Sequence, residues 1–281
     1  MAFNSFKRKI WDAQLLVGLR NNTVSAAGVN HNHQALVEGA SSVSINTFGS
    51  VTLKDYDGNE IVYDDVDTSE KILVLDNKKL FALKFDDIDM AQVADGGILM
   101  TTACSEAVAE LVEDRDRKNF QCMADGAGRI VGSDEAPIAV SDYTTAKKVI
   151  LKAKAQADKA NVPADGRVLF IGPELENQLL ADPTINLSAP TAETSLGAGH
   201  IGRLYGFNIF KTNNLPKTEG SNDIIIATHP KFTTEAIQIN KTEALRSEKY
   251  MKDLVRGLCV SGRLVTMPEG IVKVIVDYTE E

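Results

Sequence analysis

Residues 195–206 read SLGAGHIGRLYG, in which Gly197, Gly199 and Gly202 stand at the spacing G-x-G-x-x-G. Taken alone this is the fingerprint of a dinucleotide-binding turn, where glycines let the backbone approach a pyrophosphate. That chemistry needs a strand running into the glycines, a helix starting on them and an acidic residue about 20 positions later. The preceding segment, PTINLSAPTAETS (183–195), carries two prolines and reads as a loop. The next one, RLYGFNIFKTNNLP (203–216), is broken by Gly206 and Pro216 and alternates like a strand. Asp223 lies near the expected distance but begins a strand instead of ending one. The glycines are therefore expected to be loop and turn residues, with no nicotinamide or flavin cofactor.

Other apparent sites fail on similar grounds. DYDGNE (55–60) resembles the start of a calcium loop, but Gly58 stands at position four instead of six, and Val66 occupies the place of the closing glutamate. FDDIDM (85–90) brings together Asp86, Asp87 and Asp89, residues that suit a helix start as cap and dipole partners. HNH (31–33) offers His31 and His33, with His200 and His229 far off in sequence and no third ligand evident. Serine, cysteine and lysine nucleophiles have no visible partner arrangement. No catalytic, cofactor-binding or metal-ligating residue is assigned, and the chain does not read as an enzyme.

The composition narrows the class further. With 43% hydrophobic and 25% charged residues over 281 positions, the chain can bury a sizeable core and is not a disordered segment. No run approaches the ~18 apolar residues of a membrane span. The N-terminal residues MAFNSFKRKIWDAQLLVGL read as a short amphipathic helix with Trp11, Leu15, Leu16 and Leu19 on one face, since Asp12 and Gln14 interrupt any signal-peptide core. A formal charge of -9 argues against a protein that grips nucleic acid, and Lys147, Lys148, Lys152, Lys154 and Lys159 read as a solvated helix face. Cys104, Cys122 and Cys259 show no paired spacing. The first two fall on one predicted helix about 27 Å apart at ~1.5 Å per residue, beyond disulfide reach, so all three are expected to be reduced thiols.

All eight prolines lie from Pro137 to Pro268, which leaves the first half free to form long uninterrupted elements. Residues 42–86 read as a polar-edged β ribbon. Val43, Ile45, Val51 and Leu53 alternate, DGN turns the chain, and KILVLDNKKLFALKF gives two more strand-like runs around Asp76-Asn77. Such a ribbon buries too little alone and points to another subunit as its support. A helix is expected from about Asp89 to Ala124. Met100, Cys104, Ala107, Val108, Leu111 and Val112 form its stripe, Asp114 to Arg117 its surface, and Gly96 and Gly97 weaken its start. The remainder reads as α/β: a helix capped by Ser141 or Asp142, the strand RVLFIG, a short helix opened by Pro173, two short strands, and a C-terminal hairpin turned by Pro268 and Gly270.

This order of elements resembles the major capsid proteins of tailed bacteriophages, which have the Hong Kong 97-type fold. VPADGRVLFIGPE (162–174) and GRLYGFNIFKTNNLP (202–216) are the most specific parts, and KKLFALKFDDIDMAQ and MKDLVRGLCVSGRLVTMPEGI agree in position. The resemblance implies an α+β capsid fold with an N-terminal arm (1–41), an extended β loop (42–86), a spine helix of a peripheral domain (87–130), an axial α/β domain (131–230) and C-terminal strands of the peripheral domain (231–281). It implies self-assembly into pentamers and hexamers of an icosahedral virion capsid, built in the host bacterial cytoplasm. Scaffolding, portal and decoration proteins are its expected partners, and double-stranded DNA is enclosed without sequence-specific binding. An encapsulin-like nanocompartment shell, which shares the fold and encloses an enzyme cargo, is the alternative.

Overall fold

Freedom from proline lets one helix run for 30 residues. In the computed structural model, which describes residues 23–34, 41–48, 53, 68–92, 96–182 and 200–278, a short helix α1 (Asp87–Gln92) precedes the long helix α2 (Gly96–Asp125). At ~1.5 Å per residue α2 spans about 45 Å. Gly96 and Gly97 are its first two residues and do not delay its start. Asp86 caps α1 by accepting a hydrogen bond from the Ile88 amide at 3.1 Å, which is the role expected for that acidic cluster. The predicted N-terminal helix, the ribbon tip around DGN and the loop before Gly199 lie outside the described residues.

The predicted stripe on the first half of α2 is only half-buried, and Val108 is exposed. Deep burial starts later, at Glu113, Asp116, Asn119, Phe120 and Met123. Asp116 is therefore a buried residue instead of the surface residue expected from its charged neighbours. A long helix that contacts different layers along its length has no single apolar stripe to display.

Alternation in the ribbon region gives strands β1 (Ser42–Phe48), β2 (Thr68–Val74) and β3 (Asn77–Asp86). Strands β1 and β2 pair antiparallel, whereas β3 leaves the ribbon. The further strands are β4 (Arg129–Val131), β5 (Ile138–Val140), β6 (Val168–Ile171), β7 (His200–Leu204), β8 (Phe207–Lys211), β9 (Asp223–Thr228), β10 (Thr233–Arg246), β11 (Lys252–Val265) and β12 (Val272–Tyr278). A three-stranded sheet has the order β10-β11-β3. A seven-stranded mixed sheet has the order β4-β12-β9-β6-β8-β7, with β5 also pairing β12. On the larger sheet lie helices α3 (Tyr143–Lys159), with Asp142 and Thr145 forming its capping box, and α4 (Pro173–Leu180). Fully buried β6 carries Phe170, which meets Phe120 of α2 edge-on at 4.8 Å.

The segments on either side of Pro268 do not form the expected hairpin. Strand β11 belongs to the small sheet and β12 to the large one, and the 3-10 turn Pro268–Gly270 carries the chain between them. Three crossings of this kind lie side by side. A Cβ on Gly126, after α2, would lie 2.6 Å from Val265; one on Gly128 would lie 2.7 Å from the Pro268 carbonyl; one on Gly270 would overlap the Phe232 ring. The glycines allow this close packing.

The small sheet is covered on both faces at one end. On one face Phe81, opposite Gly257, lays its ring where a glycine Cβ would stand, next to Leu111 and Val112 of α2. On the other, Val43, Ile45, Leu73 and Leu75 of the ribbon base pack on Ala236, Val260 and Leu264. The base is thus supported by its own chain, where the sequence pointed to another subunit as the support. Gly262 makes this possible, because a Cβ there would run into the Val74 carbonyl. Gly262→Ala is expected to lift the ribbon base and cost about 1–3 kcal/mol, the usual range for overpacking. Chemical denaturation checks this, and a variant as stable as the parent would refute the clamp.

Candidate assembly surfaces

The ribbon base covers only part of its face of the small sheet. In antiparallel register Leu80 lies opposite Leu258 and Leu245 opposite Leu254, all on the same side as Val260 by the two-residue period. Leu80 is 64% exposed, Leu245 43% and Leu258 37%. The charged cross-strand pair on this stretch, Arg256 with Glu243 at 2.8 Å, is internally neutral, while Lys84 stands opposite Leu254 and Lys241 opposite Leu258. The result is a strip of leucines, bordered by these charges and continuous with the surface the ribbon has already claimed.

The strip ends at the β10–β11 turn. There Arg246 sits between Asp87 and Asp253, the latter at 2.8 Å, and Lys252 pairs with Asp86 at 3.0 Å. These hydrogen bonds hold the carboxyls of Asp86 and Asp87 below the usual carboxylate range, Lys252 acting on the first and Arg246 on the second. The Asp87 amide donates to the Met251 carbonyl at 3.2 Å, which ties α1 to the turn. With the charges matched to each other, Ile88, Tyr250 and Met251 remain exposed at the tip. Sequence reasoning missed this surface because RSEKYMKD reads as an ordinary polar turn.

Elsewhere on the molecule, the N-terminal segment is seated in a polar groove. The Asp116 carboxylate accepts from the Ser25 amide at 2.8 Å and from Asn214 Nδ2 at 2.8 Å, while Asn119 donates to Ser25 Oγ at 3.1 Å. Farther on, the Asn30 amide donates to the Thr233 carbonyl and the Glu235 amide to the Asn30 carbonyl, both at 2.9 Å. Gln34 grips both backbone groups of Ile237 with its side-chain amide. These residues cover the first part of the β10 edge. Under them Arg115 reaches Glu235 at 3.2 Å, and Arg263 stands opposite Glu235 in the sheet. Burial pushes the Arg263 guanidinium down from its ordinary value, and Glu235 opposes the shift.

The residues singled out by sequence fall apart in space. Gly197 and Gly199 lie outside the described residues. Gly202 lies in β7, which pairs antiparallel with β8 through Tyr205 (φ 50°) and Gly206 (φ 91°). Two consecutive positive φ values suit a tight two-residue hairpin. Gly206 is thus a turn residue as expected, whereas Gly202, expected in a loop or turn, lies within a strand because its segment pairs with β8. His31 Nδ1 lies 3.1 Å from the Glu235 carbonyl, a backbone contact. Among the described residues no group of three or more histidine, cysteine or acidic side chains is placed to hold a metal. No described helix is long and apolar enough to cross a membrane. Cys104, Cys122 and Cys259 are free thiols, and burial pushes those of Cys122 and Cys259 up.

A family model described as phage capsid protein matches residues 79–274. A solved structure from Mycobacterium phage Che8 is 31% identical, covers 97% of this chain and 98% of its own, and superposes with a TM-score of 0.79. The capsid structure of the cyanophage P-SCSP1u is 15% identical over 98% of this chain and 94% of its own, with a TM-score of 0.74. The asymmetric unit of the bacteriophage PhiM1 mature capsid is 12% identical over 98% and 94%, with a TM-score of 0.69. The last two are alike in fold. No curated protein matches the sequence.

Because Asp116 satisfies donors from two distant segments, Asp116→Ala is expected to orphan both at roughly 1–3 kcal/mol each. Denaturant midpoints measure the loss, and amide exchange at Ser25 locates it. Unchanged stability would show that the carboxylate is not the anchor.

Proposed function

The chain belongs to the phage capsid protein family, and from that premise we propose that it builds pentamers and hexamers which close into an icosahedral shell around double-stranded DNA. Its role is structural and not enzymatic, and its fold is the α+β Hong Kong 97-type capsid fold. The finer division is part of the proposal: an N-terminal arm over 1–41, an extended loop over 42–86, a peripheral domain on the spine helix 87–130 and the strands of 231–281, and an axial domain over 131–230. Within that division β12 returns from the C-terminal region to the axial sheet.

The observation that carries the reading is the exposed apolar strip of Leu80, Leu245 and Leu258 beside the ribbon. A ribbon laid across a neighbouring peripheral domain buries there what its own chain leaves open. Each contact is modest, but ring and shell closure gives every subunit several at once, so affinity accumulates without one strong site. The acidic balance of -9 suits a container that holds DNA without adhering to it. Scaffolding, portal and decoration proteins are proposed partners, and assembly is proposed to occur in the host cytoplasm. The family match favours this reading over a nanocompartment with an enzyme cargo. The contents of native particles, DNA or protein, separate the two.

Sedimentation and negative-stain microscopy are expected to show rings or closed shells at assembly concentrations, with scaffolding protein supplied where required. Only ~30 kDa species under all such conditions would count against the proposal. Leu80→Asp is expected to leave the subunit folded, since this side chain is 64% exposed, and to stop shell closure. A folded variant that still builds normal shells would remove the strip from the assembly contacts.

A further inference from the structure

The chain passes from the large sheet to the small one at His229, between β9 and β10. Both nitrogens of its ring are engaged. Nε2 lies 3.0 Å from the Asp165 carbonyl, which only accepts, so Nε2 carries the proton. Nδ1 accepts the Lys231 amide at 3.1 Å, so it must be unprotonated. The neutral Nε2–H tautomer is thus the one this geometry admits. The ring is closely fitted: it sits 5.6 Å from the Phe232 ring, and a Cβ on Gly166 (φ 79°) would lie 3.0 Å from Nε2.

The bond at Nδ1 caps the 3-10 turn Pro230–Phe232. That turn holds the neighbouring crossings. The Phe232 ring fills the space above Gly270, and the Phe232 carbonyl accepts from the Thr266 amide at 2.8 Å and from its hydroxyl at 3.0 Å. The Pro230 carbonyl accepts from Asn30 Nδ2 at 2.6 Å. We infer that His229 is a proton-sensitive latch: a proton on Nδ1 opposes the Lys231 N–H, releases the turn and loosens the junction between the two sheets.

The surroundings fix the sign. Facing the ring are Asp165 and Arg167 from the loop before β6 and Lys231 from the turn, with Arg167 paired to Asp158 at 2.6 Å. Burial, more than the Asp165 carbonyl can offset, sets the imidazole below its ordinary value of 6.5, and Lys231 and Arg167 add to this. Below 6.5 the opened junction therefore holds more protons than the closed one, and opening becomes easier as pH falls towards the closed-state value. Above 6.5 there is no dependence on this group. One linked proton changes the opening equilibrium by up to about tenfold per pH unit inside that window.

The test uses the full chain labelled with 15N-histidine. Ring nitrogen shifts are expected to show the Nε2–H tautomer at pH 8 and a titration midpoint below 6.5. Amide protection at Lys231, Phe232 and Thr266, corrected for intrinsic exchange, is expected to fall by up to about tenfold per unit below pH 6.5. His229→Asn keeps an acceptor without a titrating ring and is expected to flatten that profile, whereas a merely structural residue would shift protection equally at every pH. An Nδ1–H tautomer, a midpoint at or above 6.5, or the same profile in both proteins would overturn the latch. Should the variant fail to fold, the tautomer and midpoint of the parent protein decide alone.

Discussion

A single buried carboxylate sets the arrangement of the chain. Asp116 is 2% exposed, and its two oxygens take donors from Ser25, 91 residues earlier, and Asn214, 98 residues later. A carboxylate buried this deeply is costly unless it is hydrogen-bonded, so the packed helix depends on donors from both the N-terminal segment and the loop after β8. Phe120, one turn further along α2, is then set against Phe170 of the large sheet. Polar satisfaction and core packing succeed each other along the same helix.

The junction of the two sheets obeys a different constraint, that of space. Gly126, Gly128 and Gly270 remove side chains where three crossings meet, so backbone and the Phe232 ring fill the volume directly. Close packing of this kind resists small displacements and yields only by parting. That is why one ring at His229 is able to govern the whole junction, and why the ribbon, joined to it by Lys71 Nζ on the Thr266 carbonyl at 2.6 Å, shares in its state.

Local features were the legible part of the sequence. Asp142 as a cap, Pro173 opening α4, the strand RVLFIG at β6, and the strand character of the segment after Gly206 each depend on neighbours in sequence, and each stands. The overall architecture was legible through resemblance, since two specific stretches supply β6, β7 and β8 of the large sheet. The failures share one cause, which is partnering at long range. Asp116 looks solvated because its partners are about 90 residues away. The runs flanking Pro268 look like a hairpin because proline and glycine turn chains, yet their partners are β10 and β3 on one side and β9 and β4 on the other. Strand β10 carries mainly polar residues past Gln238, so its alternation is faint until β11 is known.

The apolar strip belongs to this same class. In sequence Leu80 and Leu258 are ordinary strand residues, 178 positions apart by their numbers. Only their register makes them neighbours, and only the incomplete cover by the ribbon leaves them open. An isolated subunit gains nothing from solvated leucines at the end of a sheet, whereas a subunit with a long arm has a use for them. Under the proposed assembly, the arm that is supported at its base and the sheet that is uncovered at its end are complementary halves of one contact between copies of the chain. In such a design the core need hold only the anchor points rigid, while the surfaces that decide assembly remain exposed until a neighbour arrives.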